Sequence, residues 1–246
     1  MQHEQYAAHA LFEDRHWWFT ARRAILRALI GAGAAPGSGA ALVDIGCGTG
    51  GNVAALAGEY AVLGLDPSAD AIGFARTRFP AVHFIQTDDP ESGRAHLAGG
   101  GVVLMTDVLE HVADDRTLLA RAISIVPAGG HLVLTVPADP TLWSRHDTQY
   151  GHYRRYSSEE FRALWRDAPV EERLLSPFNS RLRPVIATIR RFTRDNGSDF
   201  QIPAGPLNAM LRRIFAGEAA ALVQAIDSGR PAFTRGVSLA AVLRRR

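Results

Sequence analysis

The sequence predicts an α/β fold, a doubly wound and mostly parallel sheet of seven strands with helices on both faces. Three observations predict it. Short apolar runs alternate with helix-length stretches between residues 41 and 136. A glycine-rich turn, Gly46-Cys47-Gly48-Thr49-Gly50-Gly51, closes the first run. Asp66 ends the second run, 22 positions after Asp44. Sheets of this kind bind ligands beyond the C-terminal ends of their strands, so the informative residues are expected just after each run.

The elements follow in order. An N-terminal helical segment (residues 1–35) carries Trp17-Trp18-Phe19 and then Arg22-Arg23, and a Gly/Ala/Pro/Ser linker, Ala32–Ala41, leads out of it. Three adjacent aromatics cannot share one helix face, so some pack on the sheet and others are free to close over a ligand. Ala41–Ile45 reads as a buried strand, Asn52–Gly58 as a helix, and Ala61–Leu65 as a strand. Ser68–Arg78 reads as a helix with Ser68 as its N-cap. Val82–Gln86 and Val102–Thr106 are strands, and Asp114–Val126 is a helix with acids at its positive end. The fifth strand is His131–Val136. Pro137–Tyr156, polar and aromatic, reads as loop. Ser157-Ser158-Glu159-Glu160 is a capping box that opens a helix through about Arg166. Glu172–Phe178 reads as a sixth strand, Ser180–Ala225 as one or two helices, and Gly236–Leu243 as a closing strand. On this reading residues 36–180 form the ligand-binding core, and residues 181–246 add a helical insertion and the last strand of the same domain.

Composition narrows the function classes. Hydrophobic residues are 47% and charged residues 21% of 246, ordinary for a globular protein. The one cysteine, Cys47, excludes an internal disulfide. There is no basic stretch followed by an apolar run at the N-terminus, and no run nears the ~18 apolar residues of a spanning helix, so a cytoplasmic protein is expected. All 27 basic residues are arginine. Residues 181–246 hold 12 of them against 4 acids, whereas residues 1–180 are net negative. The basic quarter reads either as a solvated helical surface or as a peripheral contact with anionic lipid headgroups.

The glycine turn alone is a weak signal, because Gly46, Gly48 and Gly51 also satisfy the G-x-G-x-x-G spacing of dinucleotide binders. Asp66 suits ribose hydroxyls in either case. Asp44 separates the two. A carboxylate before the turn repels a pyrophosphate and attracts a sulfonium ligand bearing an ammonium group, which favours S-adenosylmethionine over NAD.

Here the sequence resembles the class I S-adenosylmethionine-dependent methyltransferases, of the type 11/12-like subgroup, over about residues 12–178. Asp44–Gly50 is similar to the family's first motif and Asp66-Pro67-Ser68 to its second. Thr87-Asp88 is similar to its adenine-contacting acid, and Asp107-Val108-Leu109-Glu110-His111-Val112 to the segment after strand four in ubiquinone-biosynthesis-like members. The resemblance implies a Rossmann-like core with S-adenosylmethionine held by Asp44, Gly46, Cys47, Gly48, Asp66, Asp88 and Asp107. It also implies that the Trp17–Arg23 segment is a cofactor lid, with Arg22 on the methionine carboxylate.

Trp143–Tyr156 is the densest functional-looking run, and the same subgroup carries a similar Trp-Ser-x-His-Asp…Gly-His-x-Arg-Arg-Tyr stretch. Methyl transfer needs alignment and, for a hydroxyl or ammonium acceptor, removal of a proton. His146 or His152 suits the base, with Asp147 orienting a histidine. Arg154 and Arg155 suit an acceptor carboxylate or phosphate, with Trp143 and Tyr156 lining the site. Metal binding by His146, Asp147 and His152 matches no standard spacing, so no metal is expected.

The expected activity is O-methylation of a small, anionic acceptor in biosynthesis, by a monomer or homodimer. The alternatives are a lipid-linked or glycan substrate at the membrane surface, or a non-catalytic S-adenosylmethionine-binding protein. Nucleic acid is not expected as a partner, since no Asn-Pro-Pro-Tyr-like motif occurs and the cofactor half is acidic.

Overall fold

A computed structural model describes residues 3–192 and 202–246. The sheet is built from β1 (Ala41–Ile45), β2 (Ala61–Asp66), β3 (His83–Gln86), β4 (Gly101–Thr106), β5 (His131–Pro137), β6 (Val170–Phe178) and β7 (Ser238–Arg245). The strand order is β3-β2-β1-β4-β5-β7-β6, with β7 antiparallel to both neighbours and every other pairing parallel. The chain winds outward from β1 through β3 and then returns to the other side of β1 for β4. The crevice at that reversal lies beyond the C-terminal ends of β1 and β4, where doubly wound sheets take ligands.

Alternation along the strands feeds two cores. Val43 and Ile45 of β1, with Val103 and Met105 of β4, face one side. Leu42, Val102 and Leu104 face the other. Because both faces are covered, these strands are near-continuous apolar runs. On the first face lie α5 (Asp115–Ile125) and α7 (Ser158–Ala163), through Leu119, Ile123 and Phe161. On the second lies α2 (Trp17–Gly33), whose Ile25, Leu26, Leu29 and Ile30 recur at helical spacing. α3 (Gly51–Leu56) and α4 (Ala69–Arg78) complete the cofactor half.

Local chemistry sets the helix ends. Ser68 Oγ accepts the Ala71 amide at 3.3 Å to cap α4, and Asp114 accepts from Thr117 at 3.0 Å to cap α5. The capping box of α7 forms as expected, with Glu160 Oε2 accepting the Ser157 amide at 2.8 Å.

The structure differs from the sequence expectation in the N-terminal segment, after β5 and in the late helices. The N-terminal segment is two helices, α1 (His3–Phe12) and α2. α2 is an integral layer of the core, with Ile25, Leu29 and Ile30 fully buried, so it cannot be removed without unfolding the sheet's cover. The stretch read as loop contains a 3-10 turn (Pro140–Leu142) and a short helix, α6 (Arg145–Gln149). Its Ser144/Asp147 capping box overrides the weak helix formers His146, Asp147 and Thr148.

The late segment, expected as one or two helices, holds three among the described residues: α8 (Arg183–Phe192), α9 (Gly205–Ala216) and α10 (Ala219–Ala225). Arg194, Asp195 and Asp199 of the basic quarter lie outside the described residues. α9 packs along α2. Asn208 Oδ1 accepts the Trp17 amide at 2.9 Å, its Nδ2 donates to Arg15 O at 2.8 Å, and the Trp17 and Phe215 rings meet edge to face at 6.0 Å. The N-terminal and late helices thus form one continuous cover.

Candidate functional site

The glycine turn is shaped by sterics. Gly46 has φ +76°, and a Cβ there would lie 2.4 Å from Val108 Cγ2. Gly48 has φ +56°, and no atom lies within 4 Å of the point a Cβ would occupy, so its outer side is open to a ligand. Cys47 points the other way: its side chain packs with Ile72, Ala75 and Phe84, and its contribution to the turn is its backbone.

Two acids flank the turn. Asp66 is oriented by the amides of Gly48 (to Oδ2, 2.9 Å) and Ser68 (to Oδ1, 2.9 Å). Each oxygen retains a lone pair for a hydroxyl donor. Asp44 is fully buried, and both its carboxylate oxygens lack a hydrogen-bond partner. Burial pushes its pKa up to about 8 against the pull of Arg22, with Asp66 adding to the rise. A buried carboxylate without donors is unfavourable unless a cationic group completes it. An ammonium- and sulfonium-bearing ligand fits that requirement.

A third acid lies at the start of α3. In dinucleotide binders the pyrophosphate sits on the helix N-terminus after the glycine turn. Here a Cβ on Gly51, the first residue of α3, would lie 2.2 Å from Glu13 Oε2. Glu13 is buried, accepts from Thr49 Oγ1 at 2.9 Å and pairs with Arg78. This carboxylate, to which no sequence motif points, sets a negative charge at the helix N-terminus that a phosphate would use, which disfavours a dinucleotide there.

Arg22 is buried, stacks 4.2 Å above the Trp18 ring and pairs with Asp107, while its Nε has no partner. Asp107 has φ +56° and accepts from Thr135 Oγ1 at 3.2 Å. Asp88 is exposed beyond β3, whereas its neighbour Asp89 accepts from Arg121 at 2.6 Å and from the Glu91 amide. α1 lies over this region: Tyr6 interacts with Ser68 and Asp66, and His9 lies 3.4 Å from Thr49 Oγ1. Neither α1 residue stands out in the sequence, because α1 carries no motif.

The 143–156 segment reaches the end of β4, since the Tyr153 amide donates to Glu110 O at 2.7 Å. Asp147 is its hub. Its Oδ1 accepts from His152 Nδ1 at 3.0 Å and Arg155 Nε at 2.8 Å, and its Oδ2 from the Ser144 amide at 2.8 Å. Burial alone would raise the Asp147 pKa, but the His152, Arg155 and Ser144 donors hold it well below the carboxylate range. The His152 ring lies edge-on to His111 at 4.6 Å and to His146 at 6.1 Å. Burial, then His152, depresses the His111 pKa to about 4. Glu110 is fully buried with both oxygens unpartnered, and burial and Asp107 raise its pKa well above normal.

The arginines and tyrosine of the segment are partly committed inward. Arg155 is buried and also donates to Ala138 O at 3.0 Å. Arg154 donates to Asp115 at 2.8 Å but keeps a third of its side chain exposed. Tyr156 is buried and donates to the same Asp115 at 2.7 Å. Trp143 is 44% exposed at the segment's start.

The model of a family described as a methyltransferase domain matches residues 14–169. The chain is 29% identical over 134 residues to a trans-aconitate 2-methyltransferase of Paracidovorax citrulli, covering 52% of this chain and 47% of that one. It is 31% identical over 111 residues to a ubiquinone biosynthesis O-methyltransferase of Pectobacterium carotovorum, covering 43% and 46%. The matched stretch thus spans about half the length of these curated relatives. In fold it is similar to a geranyl diphosphate methyltransferase solved with S-adenosylmethionine, at TM-score 0.60 and 16% identity over 92% of this chain and 85% of that one.

If Asp66 takes the ribose hydroxyls, Asp66→Ala is expected to weaken cofactor binding by about 1–3 kcal/mol, because the hydroxyls lose their charged acceptor. Calorimetry with S-adenosylhomocysteine checks this, and an unchanged affinity would place the ribose elsewhere.

Proposed function

Because this chain belongs to the class I S-adenosylmethionine-dependent methyltransferases, we propose that it transfers the methyl group to an oxygen of a small, anionic acceptor held by residues 143–156. The observation that carries this reading is the His152–Asp147–Arg155 array, joined to the end of β4 by the Tyr153–Glu110 hydrogen bond. When bound, the cofactor supplies an electrophilic methyl group. The chain's own residues do the rest.

Asp44 and the free Nε of Arg22 suit the ammonium and carboxylate of the methionine moiety, Asp66 the ribose, and exposed Asp88 the adenine. Asp147 fixes the His152 ring through Nδ1, which leaves Nε2 to take a proton from an acceptor hydroxyl. His146 is the second candidate for that role. Arg154, partly exposed, suits the acceptor's negative charge, with Trp143 beside it. Arg155 and Tyr156 act as positioning residues, since their polar atoms are spent on Asp147, Ala138 and Asp115. The curated relatives named trans-aconitate 2-methyltransferase and ubiquinone biosynthesis O-methyltransferase support O-methylation of a small acceptor, anionic in the first case.

The test is a screen of small carboxylates and phosphates with labelled cofactor, repeated with Arg154→Ala. We expect that variant to raise the acceptor KM with little change in kcat. An unchanged KM would remove the anion clamp from this segment. Deleting residues 1–12, which takes α1 and spares α2, is expected to raise the cofactor dissociation constant while the melting temperature stays close to wild type. Unchanged affinity would leave α1 a packing role only.

A second reading, transfer to a lipid-linked or glycan acceptor at a membrane surface, is favoured by a specific observation. Val185 of α8 and Leu207 and Met210 of α9 are about half exposed in the arginine-rich quarter. Among the described residues no helix is long and apolar enough to cross a membrane, so the contact would be peripheral. Anionic liposomes should then sediment the protein at low salt and release it at high salt. No salt-sensitive sedimentation would exclude this reading.

A further inference from the structure

We infer that Glu110, His111 and His152 form a binding site for one first-row divalent cation such as Zn²⁺, at the acceptor end of the cleft. The sequence gives no reason to expect a metal, because the candidate ligands within residues 146–152 have the wrong spacing. The fold instead brings residues 41–42 positions apart into one group.

One ligand atom from each of the three lies within 4.8 Å of the others. A bound ion holds nitrogen and oxygen ligands at about 2.0–2.2 Å, so small side-chain rotations close the set around it. The second, independent observation is Glu110 itself. Its side chain is fully buried and neither oxygen has a hydrogen-bond donor. Ordinary packing gives no reason to bury an unpartnered carboxylate beside two imidazoles, and a cation satisfies it.

The surroundings have the form of a metal site. Asp147 accepts from His152 Nδ1 at 3.0 Å, which fixes the tautomer and leaves Nε2 unprotonated; that nitrogen is a ligand when an ion is bound and can serve as a base only in the metal-free chain. Carboxylates orient metal-bound histidines in this way. Asp147 is in turn held by Arg155 and Ser144, so the orienting partner of His152 is in place before an ion arrives. Two histidines and one carboxylate leave coordination positions open. Those positions suit the oxygens of an acceptor carboxylate or hydroxyl, and that use rests on the function proposed above. The binding itself does not.

The test uses the tag-free full chain, stripped with chelating resin. Titration with Co²⁺, read by its visible absorption, and with Zn²⁺, read by calorimetry, should give one ion per chain. Glu110→Gln and His111→Ala should each lower Zn²⁺ affinity by tenfold or more, and Asp147→Asn by about 10–100-fold. Circular dichroism and S-adenosylhomocysteine binding serve as folding controls, and partly exposed His111 carries the test if Glu110→Gln fails to fold. No stoichiometric binding, or equal affinity in the folded variants, would overturn the site. Binding is read without methyl transfer, so a metal-binding chain that methylates no acceptor would fail the proposed function and leave the site standing.

Discussion

His152→Ala is expected to lower turnover by about 10²–10⁴-fold while S-adenosylhomocysteine binds as tightly as to the wild type. Asp147 is fully buried and is kept ionised by three donors. An ionised Asp147 pins the His152 Nδ1 proton, so the ring presents a basic nitrogen on its other edge. Removing the ring abolishes that base but touches none of the groups proposed to hold the cofactor. Asp147→Asn should show a smaller loss of the same kind, since it removes the orienting charge and keeps the ring. Added imidazole should partly restore His152→Ala if the loss is chemical, and a purely structural defect would not respond. Full turnover in both His152→Ala and His146→Ala would mean an acceptor that is already anionic at its nucleophilic oxygen.

Asp44→Asn is expected to weaken cofactor binding by about 2–5 kcal/mol, because it removes one partner of a buried charge pair. This variant also carries a pH signature. With its pKa raised to about 8 by burial, Asp44 is protonated at neutral pH in the ligand-free chain, with Arg22 and Asp66 as its charged neighbours. A carboxyl whose folded pKa is raised stabilises the fold fully below its unfolded pKa near ~4, and that contribution is lost as pH rises through about 8. The ligand-free wild type should therefore lose melting temperature toward pH 8 more steeply than Asp44→Asn. A cationic ligand demands the ionised form, so binding at neutral pH should release a proton to buffer. Calorimetry in buffers of different ionisation enthalpy measures that release. No release in the wild type, or equal release in Asp44→Asn, would contradict the pairing.

The cofactor half is readable because its chemistry is local. Asp44, the glycine turn and Asp66 sit at the ends of apolar runs, and a parallel sheet buried on both faces writes those runs plainly. The rest depends on long-range packing. Glu13 reaches the start of α3 only because α1 and α2 fold back over the sheet, and no motif marks it. Glu110 lies within a recognisable segment, yet its isolation from any donor emerges only when residues 143–156 close over it. α6 is hidden because His146, Asp147 and Thr148 are weak helix formers, and the cap at Ser144 decides the matter. Arg155 and Tyr156 look like ligands for an acceptor, but the fold spends their polar atoms on Asp147, Ala138 and Asp115.

The most direct test of the account is single-turnover transfer of labelled methyl from S-adenosylmethionine to paired acceptors, each hydroxylated carboxylate or phosphate run beside its neutral analogue. The account predicts label on oxygen of the anionic member of a pair, lost in His152→Ala and recovered at higher acceptor concentration in Arg154→Ala. Label that appears equally on the neutral analogue, or that persists undiminished in His152→Ala, would contradict it.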